Sequence, residues 1–417
     1  MGTTIVFHID VNSAFLSWSA LKRLQLDPDC LDLRTVPSAV GGDEEARHGV
    51  VLAKSMPAKK YGVTTGEPLA AAKRKCPNLI VIRPDFSVYV EQSNRLRKLL
   101  GRYTDQVIPY SIDEAWAQFD GFEKLYGDPA QFANRLREEI KAELGFTVNI
   151  GVSTNKLLSK TAGDFKKPDL VHTLFPEEIP RKLWPLPVGK LLFCGHAAQE
   201  KLKSLGIYTI GDLAQADRGM ICAHMKKHGE MLWNFAWGRE SDDMFSVQEE
   251  NKGCGNSVTT PVDVTSVAYA KQILLSLCET VGIRLRADHR KACGVSVGMR
   301  TSSFENSSRQ MQLDSSTDVT EEIFDAAFTL LMRMWDGHKP LRLLNVTATR
   351  LTNEEYRQYN LFDHVDYEKL ERANKAIDSI RARFGEDSVM RASFLTGNVS
   401  PTSGGLNKEK RKEKGHL

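Results

Sequence analysis

Two adjacent acids interrupt a strand-like stretch of the sequence and restrict how that stretch can fold. Asp113 and Glu114 stand within residues 107–119, where the apolar residues are typical of a strand in a core. Successive side chains of a regular strand point to opposite faces of the sheet, so an unbroken strand would separate the two carboxylates. We therefore predict a hairpin with a turn at residues 111–113, which lets both side chains reach the same site.

A third acid, Asp10, ends the first predicted strand, in the sequence FHIDVNSAF. Three carboxylates brought together suit Mg²⁺, which prefers hard oxygen ligands, and two such ions about 4 Å apart promote in-line phosphoryl displacement. An Asp-Glu pair is also common on the solvated edge of a sheet, so the pair alone is weak support for catalysis. Its apolar neighbours favour the metal site, because a charge beside a core strand is unfavourable unless something binds it.

The length and the composition exclude several classes of protein. The chain has 417 residues, more than one hydrophobic core normally organises, so we expect several domains. No apolar run approaches the ~18 residues of a membrane span, and the N-terminal sequence has neither a secretory signal nor a myristoylation site. The seven cysteines are scattered and never form C-x-x-C, which argues against a disulfide framework and a zinc site. We expect a cytoplasmic protein with reduced thiols and no membrane contact.

Strand and helix signals alternate along the chain and predict an α+β, multidomain fold. In the first part, strand signals lie at 4–10, 79–83, 107–119 and 146–152, and helix signals at 87–103 and 128–144. Residues 185–212 then change to short helices, with Gly206 as a helix stop and a second helix beginning near Thr209. We interpret this region as a small helical domain.

A polar, glycine-containing linker at 244–255 leads to a different module. From Asn256 the order is strand, helix, strand, strand, helix, strand. The helices are predicted at 267–288 and 321–335, and the later strands at 293–300, 309–313 and 341–350. This βαββαβ order indicates a ferredoxin-like module, and a further helical stretch follows at 367–384. The net charge of +3 does not by itself indicate a nucleic-acid partner, so local clusters must supply any such contact.

Four motifs occur in a fixed order: FHIDVNSAF, GVVLAKSMPAKKYGV, SIDEAW and GVSTNKLLSKTAGDFKKP. Their order and spacing resemble the Y-family translesion DNA polymerases, in particular the bacterial DNA polymerase IV branch. The resemblance extends from the N-terminus to about Leu395. It implies a DNA-directed DNA polymerase that adds deoxynucleotides (dNTPs) to a primer 3′ end with low fidelity during translesion synthesis, using two Mg²⁺ ions.

The resemblance also divides the chain into named domains. They would be a ferredoxin-like palm (1–20 and 79–169), an inserted fingers domain (21–78), a helical thumb (170–243), a βαββαβ little finger (244–352), and a clamp-binding motif with a C-terminal tail (353–417). The partners implied are primer-template DNA, a dNTP and a sliding clamp, and the chain would act as a monomer.

Specific residues receive roles from the resemblance. Asp10, Asp113 and Glu114 would be the catalytic, metal-binding carboxylates, and the Val11 carbonyl would add a ligand. The residues that would contact the triphosphate are Asn12, Ser13, Ala14, Phe15, Ser55, Lys59 and Lys167. The Phe15 ring would lie under the incoming sugar and collide with a 2′-hydroxyl, which selects deoxynucleotides. Without the resemblance, a core residue at the start of a helix is an equal alternative for Phe15.

Two positions depart from the family pattern. Lys59 stands where many relatives have arginine, and Met56 stands where tyrosine is common. Lysine is a point charge suited to phosphate, so Lys59 and Lys167 remain candidates, although each taken alone is more typical of a solvated surface. Ser55 is the candidate to replace the missing tyrosine hydroxyl.

Three further regions would contact partners. Residues 186–213 resemble a helix-hairpin-helix, whose backbone N–H groups grip a DNA phosphate; Gly195 lies in the sequence CGH where relatives usually have Gly-Ile-Gly, and a plain helical hairpin is the alternative. Lys291 and Arg300 of the βαββαβ module would contact DNA phosphates without reading bases. The peptide QYNLF, with Gln358, Leu361 and Phe362, matches a clamp-docking motif, and an intramolecular packing segment is the alternative.

Two competing functions remain open. Residues 41–45 spell GGDEE, one letter from the signature of diguanylate cyclases. The cyclase motif lies on a tight hairpin between strands, and we expect a different context here, which disfavours the cyclase. An inactive, clamp-docked DNA-binding protein is the second alternative, and the presence of all three acids argues against it.

Overall fold

The computed structural model describes residues 4–42, 49–240, 251–354, 366–385, 388–395 and 399. The chain divides into two units, one made of residues 1–42 and 50–248 and the other of residues 43–49 and 249–417. The main boundary, after Gln248, lies inside the linker predicted at 244–255. Both units contain strands and helices. The prediction of an α+β, multidomain chain is therefore confirmed.

The strands of the first unit form two sheets. They are β1 (Ile5–Val11), β2 (Ser38–Gly41), β3 (Val51–Lys54), β4 (Ile80–Ile82), β5 (Val107–Pro109), β6 (Glu114–Phe119), β7 (Val148–Ser153) and β8 (Val171–Thr173). The larger sheet has the order β5-β6-β1-β7-β8, and the smaller sheet has the order β3-β2-β4. Strand β1 is antiparallel to both β6 and β7, whereas β7 and β8 run parallel. The central position of β1 explains why its whole length is buried.

The helices of the first unit cover the larger sheet and continue into a helical region. They are α1 (Ala14–Leu26), α2 (Met56–Lys60), α3 (Leu69–Lys75), α4 (Phe86–Leu100), α5 (Phe122–Tyr126), α6 (Pro129–Leu144), α7 (Lys156–Gly163), α8 (Ile179–Lys182), α9 (His196–Ser204), α10 (Ile210–Gln215) and α11 (Arg218–Ala236). Helices α1, α4 and α6 share a core with the sheet, which includes Phe7, Trp18 and Phe132. Helix α7 packs closely on β7, because a Cβ at Gly151 would lie 1.9 Å from the Ser159 carbonyl oxygen.

Local signals placed most of these boundaries correctly. Asp128 accepts a 2.8 Å hydrogen bond from the Gln131 N–H and caps α6, as a helix predicted from residue 128 requires. In the helical region, α9 ends before Gly206, whose φ of +80° favours glycine, and Thr209 caps α10. Helix α4 ends at Leu100 instead of near residue 103, because the chain continues there in hydrogen-bonded turns.

The second unit contains the predicted βαββαβ order. Its elements are β9 (Gly253–Val264), α12 (Val267–Ala287), β10 (Lys291–Thr301), β11 (Asn306–Thr317), α13 (Thr320–Met332), β12 (Leu341–Thr352) and α14 (Tyr367–Phe384). The strands form an antiparallel sheet in the order β11-β10-β12-β9, and α12 and α13 share its core. Strand β11 is longer than the predicted 309–313, because the residues at both of its ends are polar and therefore lack an apolar signal.

Two predictions about the whole chain can be compared with the described residues. All seven cysteines are free, as the scattered spacing predicts. Across the described ranges, none of the helices combines the length and apolar character needed to cross a bilayer.

Candidate active site

The acidic pair lies at a hairpin turn between β5 and β6. The N–H groups of Tyr110 and Ser111 donate hydrogen bonds of 3.0 and 3.2 Å to the Glu114 carbonyl oxygen. The Ser111 hydroxyl donates a 2.6 Å hydrogen bond to the Asp113 carboxylate. Strand β5 ends at Pro109 and β6 begins at Glu114, so the turn predicted at residues 111–113 is confirmed.

The end of β1 lies directly beside this turn. Asp10 is paired with Glu114 across the antiparallel strands β1 and β6. The Val11 N–H donates a 3.0 Å hydrogen bond to the Asp113 carbonyl oxygen. Directly opposed residues of antiparallel strands project to the same face of the sheet, so Asp10 and Glu114 share a face. Asp10 and Glu114, which are 104 positions apart in the sequence, are thus neighbours in the structure.

One cavity of about 590 Å³ collects the residues predicted for this site. Its lining includes the carboxylates of Asp10, Asp113 and Glu114 and the start of α1. The other predicted residues that line it are Val11, Asn12, Ser13, Ala14, Phe15, Ser55, Lys59 and Lys167. Every metal-binding and triphosphate-binding residue predicted from the sequence therefore lines the same cavity.

Burial and charge act together on Asp10. Burial raises the pKa of its carboxyl above the ordinary value, and the Glu114 charge raises it further. The Lys167 ammonium group contacts the Asp10 carboxylate and opposes this shift without reversing it. Lys167 also lies 2.8 Å from the Asp164 carboxylate, and both acids hold the pKa of Lys167 above its ordinary value despite burial.

Glu114 has two cationic or potentially cationic neighbours. Lys160 Nζ lies 2.5 Å from Glu114 Oε2, and His8 Nε2 lies 3.4 Å from the same oxygen. Burial opposes ionisation of Glu114, but His8 and Lys160 outweigh it and lower the pKa of Glu114 to about 2. Glu114 is therefore ionised at neutral pH.

The donor atoms fit Mg²⁺. Three carboxylates and the Val11 backbone line the cavity, and hard oxygens are the ligands that this ion prefers. As the side chains stand, no three acidic, histidine or cysteine groups in the described ranges gather closely enough to hold an ion. Asp10 and Glu114 contact lysines instead. Each of these two carboxylates thus already contacts a positively charged group.

Phe15 lies between the core and the cavity. Its ring stacks on Tyr89 with centroids 4.5 Å apart and planes 11° apart, and it meets the edge of Phe86 at 5.9 Å. The residue also packs against the core and lines the cavity. Stacking on Tyr89 holds one face of the Phe15 ring in place beside the cavity.

Ser55 is tied to the backbone around it. Its hydroxyl accepts 3.1 Å hydrogen bonds from the N–H groups of Ala58 and Ser38, and it donates a 2.8 Å hydrogen bond to the Val36 carbonyl oxygen. A hydroxyl has a single proton to donate. The Ser55 hydroxyl, which was predicted to contact a phosphate, therefore already donates its proton to the backbone.

Comparison with known proteins identifies the family. The impB/mucB/samB family matches residues 9–164, and the C-terminal domain of the impB/mucB/samB family matches residues 251–361. The DNA polymerase IV of Clostridium acetobutylicum is 43% identical over 392 residues, 94% of this chain and 98% of that protein. The DNA polymerase IV of Acetivibrio thermocellus is 36% identical, over 94% of this chain and 97% of that protein. The chain belongs to the Y family of DNA polymerases.

A solved structure agrees with this Y-family fold. The Y-family DNA polymerase chimera of Dbh and Dpo4 superimposes with a TM-score of 0.69 and 21% identity, covering 84% of this chain and 100% of that chain. At this identity the likeness supports the fold, while the relatives above support the family.

The GGDEE stretch begins at the end of β2. Gly41 is the last residue of β2, and its antiparallel neighbour β3 begins at Val51. The stretch thus follows a strand, and the connection over residues 42–50 is longer than the tight hairpin of a cyclase motif. Residues 43–48 lie outside the described ranges. Membership of the Y family also argues against a cyclase.

The structure describes three of the remaining predicted residues of this Y-family chain, Gly195, Lys291 and Arg300. Gly195 is exposed and precedes α9, at an ordinary φ of −69°. Lys291 and Arg300 lie on β10, both partly exposed, whereas Val297 between them is in the core. Gln358, Leu361 and Phe362 lie outside the described residues.

Several residues at the site had no role predicted from the sequence. Arg34, Lys54 and Thr65 line the cavity, and Lys160 and His8 lie close to Glu114. The two-residue period of a strand is a signal that could have placed Lys54 on the same side of β3 as Leu52, which also lines the cavity. No local signal pairs Lys160 with Glu114, because this contact joins α7 to β6.

Proposed function

We propose that this chain catalyses template-directed addition of dNTPs to a primer 3′ end, as a low-fidelity DNA polymerase in translesion synthesis. The observation that carries this function is the cavity that Asp10, Asp113 and Glu114 line together with Lys59 and Lys167. A nucleoside triphosphate needs positive charge along its phosphates, and a metal-bound reaction centre needs hard oxygen ligands. The relatives named DNA polymerase IV, which span nearly the whole chain, support the same function.

The residues of the chain divide the work in this proposal. Asp10, Asp113, Glu114 and the Val11 carbonyl would hold two Mg²⁺ ions, which when bound offset the charge that develops on the transferring phosphoryl group. The primer hydroxyl attacks the α-phosphate in line, and pyrophosphate leaves. The chain's part is to bind and orient the reactants, because the charged groups of the cavity are already placed before the reaction begins.

The residues next to the acids would hold the nucleotide. Residues 12–15 connect β1 to α1, and Lys59 and Lys167 supply positive charge for the triphosphate. The Phe15 ring would lie under the deoxyribose and exclude a 2′-hydroxyl by collision. Its stacking on Tyr89 supports this role, because a ring held on one face cannot easily move aside.

The finer domain assignment is part of the proposal. The larger sheet with α1, α4 and α6 would be the palm, the smaller sheet with α2 and α3 the fingers, the helices up to α11 the thumb, and the βαββαβ module the little finger. The solved Y-family neighbour supports this division at the level of the fold. The chain would act as a cytoplasmic monomer.

DNA would be held by the thumb and the little finger. Gly195 precedes α9 in the helical region, where exposed backbone N–H groups suit a phosphate. Lys291 and Arg300 lie on the partly exposed face of β10, which suits phosphate contacts independent of sequence. The QYNLF peptide would dock on a sliding clamp, and a clamp pull-down that survives Leu361→Ala with Phe362→Ala would remove that assignment.

Primer extension with Mg²⁺ tests the central proposal. The native chain should extend a primer, and Asp113→Asn should reduce extension by at least a hundredfold, because a metal ligand and a charge are lost. Asp105→Asn is the matched control, since Asp105 is an exposed acid before β5. No extension by the native chain would favour the inactive DNA-binding protein, and cyclisation of guanosine triphosphate would favour the cyclase.

A further inference from the structure

Lys54 lines the active-site cavity although no motif predicted a role for it. It ends β3, in which Val51 and Ala53 are buried whereas Leu52 and Lys54 are half-buried and line the cavity. Lys54 Nζ donates a 3.3 Å hydrogen bond to the hydroxyl of Thr65, which also lines the cavity. The period of the strand therefore directs a cation to the site.

A second lysine, Lys59, lines the cavity close enough to affect Lys54. Burial lowers the pKa of Lys54, and the charge of Lys59 lowers it further, against the attraction of Glu67. Glu67 is itself engaged, since its carboxylate lies 2.5 Å from the Lys75 ammonium group. Among the described residues, neither Lys54 nor Lys59 has an acidic side chain within ion-pair distance. Two like charges in this position are mutually unfavourable until an anion binds between or beside them.

The neighbouring side chains leave few other donors for a phosphate. Met56 follows Ser55 at the start of α2, is 41% exposed, and has no hydrogen-bond donor. The Ser55 hydroxyl already donates to the Val36 carbonyl oxygen. Arg34, which also lines the cavity, is bound to the Asp32 carboxylate at 2.8 Å and to the Gly145 carbonyl oxygen at 2.8 Å. Among the described residues that line the cavity, Lys54 and Lys59 are thus the cations without an acidic partner.

We propose that Lys54 binds the triphosphate of the incoming nucleotide together with Lys59. This inference rests on the proposed polymerase function and extends it to a residue of the motif GVVLAKSMPAKKYGV for which no role was predicted. The pair would form a two-lysine cradle in which each ammonium group donates hydrogen bonds to phosphate oxygens. Lys54 is a binding residue in this view and takes no part in proton transfer.

Single-nucleotide insertion kinetics of the full chain test the proposal. Lys54→Met keeps the length and the apolar stem of the side chain but removes its charge. We expect the KM for the dNTP to rise about tenfold or more, because a charge-assisted hydrogen bond is lost, while kcat changes less than threefold. In Lys54→Arg, the increase in log KM should be at most half of that in Lys54→Met, because arginine is a cation that can donate hydrogen bonds to phosphate.

Inorganic tripolyphosphate provides a probe without a base or a sugar. Its inhibition constant against dNTP should rise about tenfold in Lys54→Met. Lys60→Met is the matched control, because Lys60 is an exposed lysine that does not line the cavity. It lies at the end of α2, the short helix that also contains Lys59. This variant should leave the KM and the tripolyphosphate inhibition unchanged.

The outcomes separate this inference from the proposed function. A native chain that extends primers, with Lys54→Met showing native KM and native tripolyphosphate inhibition, overturns the role of Lys54 alone. If Lys54→Met also lowered the melting temperature and the affinity for DNA, Lys54 would be a structural residue, and its proposed role in nucleotide binding would be overturned as well. A native chain that extends no primer would instead overturn the polymerase function.

Discussion

The Lys160 ammonium group lies 2.5 Å from the Glu114 carboxylate, and the Lys160 side chain is 9% exposed. Lys160 also lies over the ring of Tyr110, 4.7 Å from its centroid. This contact joins α7 to the strand that begins at the acidic pair. Helix α7 therefore supplies a positive charge beside Glu114.

Removing this charge should destabilise the first unit. In Lys160→Met, the Glu114 carboxylate remains largely buried without its ammonium partner. Breaking a fully buried pair costs about 3–5 kcal/mol. We expect a smaller loss, about 2–3 kcal/mol in the free energy of unfolding by urea, because 20% of the Glu114 side chain is exposed.

The double variant Lys160→Met with Glu114→Gln is the control for this contact. Both charges are then absent, so it should recover at least about 1 kcal/mol relative to Lys160→Met. Lys166→Met changes an exposed lysine nearby and should leave stability within about 0.5 kcal/mol of native. Equal stability of Lys160→Met and Lys166→Met would show that the ion pair does not stabilise the unit.

Phe15→Ala should allow ribonucleotide insertion. The ring lines the cavity and stacks on Tyr89, so its removal opens space beside the predicted sugar position. The ratio of kcat/KM for a dNTP to that for the matching ribonucleotide should fall at least a hundredfold, as expected when a collision worth about 3 kcal/mol is removed. Phe86→Leu, which changes a neighbouring ring of the same cluster, should retain most of the native discrimination. Unchanged sugar discrimination in Phe15→Ala would refute the role of the ring.

The Tyr103 hydroxyl should make stability depend on pH in the alkaline range. It donates a 2.5 Å hydrogen bond to the Glu139 carboxylate, and this bond, with burial and the Glu139 charge, raises the pKa of Tyr103 to about 12. Because the folded chain favours the protonated phenol, this contribution is complete below the unfolded pKa near 10 and is lost as the pH rises towards 12. Tyr103→Phe should therefore be less stable than native by about 1–2 kcal/mol at pH 8, with a smaller difference at pH 11.

Urea unfolding at the two pH values measures this effect. Tyr208→Phe is the control at pH 8, because Tyr208 is 61% exposed and its substitution should leave stability within about 0.5 kcal/mol of native. A difference between native and Tyr103→Phe that is the same at both pH values would contradict the prediction.

A buried ion pair holds the C-terminal helix on the second unit. Arg381 and Glu279 are 4% and 2% exposed, and Arg381 Nη1 lies 2.6 Å from Glu279 Oε2. Arg381 also donates hydrogen bonds of 3.0 and 2.8 Å to the Val389 carbonyl oxygen. Arg381→Met should cost about 3–5 kcal/mol and lower the hydrogen-exchange protection of α14, because Glu279 is left buried with one partner fewer.

Arg383→Met is the matched control on the same helix. Arg383 is exposed and lies over the exposed ring of Phe384, so its loss should leave the protection of α14 unchanged. Equal protection in the Arg381 and Arg383 variants would show that the buried pair does not anchor the helix.

Local features of this chain followed from its sequence with good accuracy. Helix α14 has the predicted bounds, Asp128 caps α6, and the turn at residues 111–113 lies where the acidic pair requires it. These features depend on residues a few positions apart, whose periodicity, capping and charge are visible in any short stretch. Strand β11 was predicted too short for the same reason, since its polar outer residues leave no local apolar pattern.

The candidate site shows where such reasoning ends. The motifs identified many of the residues that line the cavity, but not Arg34 or Thr65, and not the contacts that occupy some of the others. Ser55 caps a helix with the hydroxyl that was expected to contact a phosphate, and this hydroxyl also bonds the backbone of Val36 and Ser38. This outcome depends on which backbone segments lie alongside one another.

The sequence by itself determined the three acids, the turn that lets two of them converge, the order of the elements, and the family. Only the tertiary structure decided that Lys160 and His8 lie behind Glu114, that Tyr89 fixes the ring of Phe15, and that Lys54 enters the cavity beside Lys59. The physical reason is the range of the interactions. A turn or a cap is set by neighbouring residues, whereas the partner of a charge and the burial of a side chain are set by segments that meet only when the sheets and helices pack.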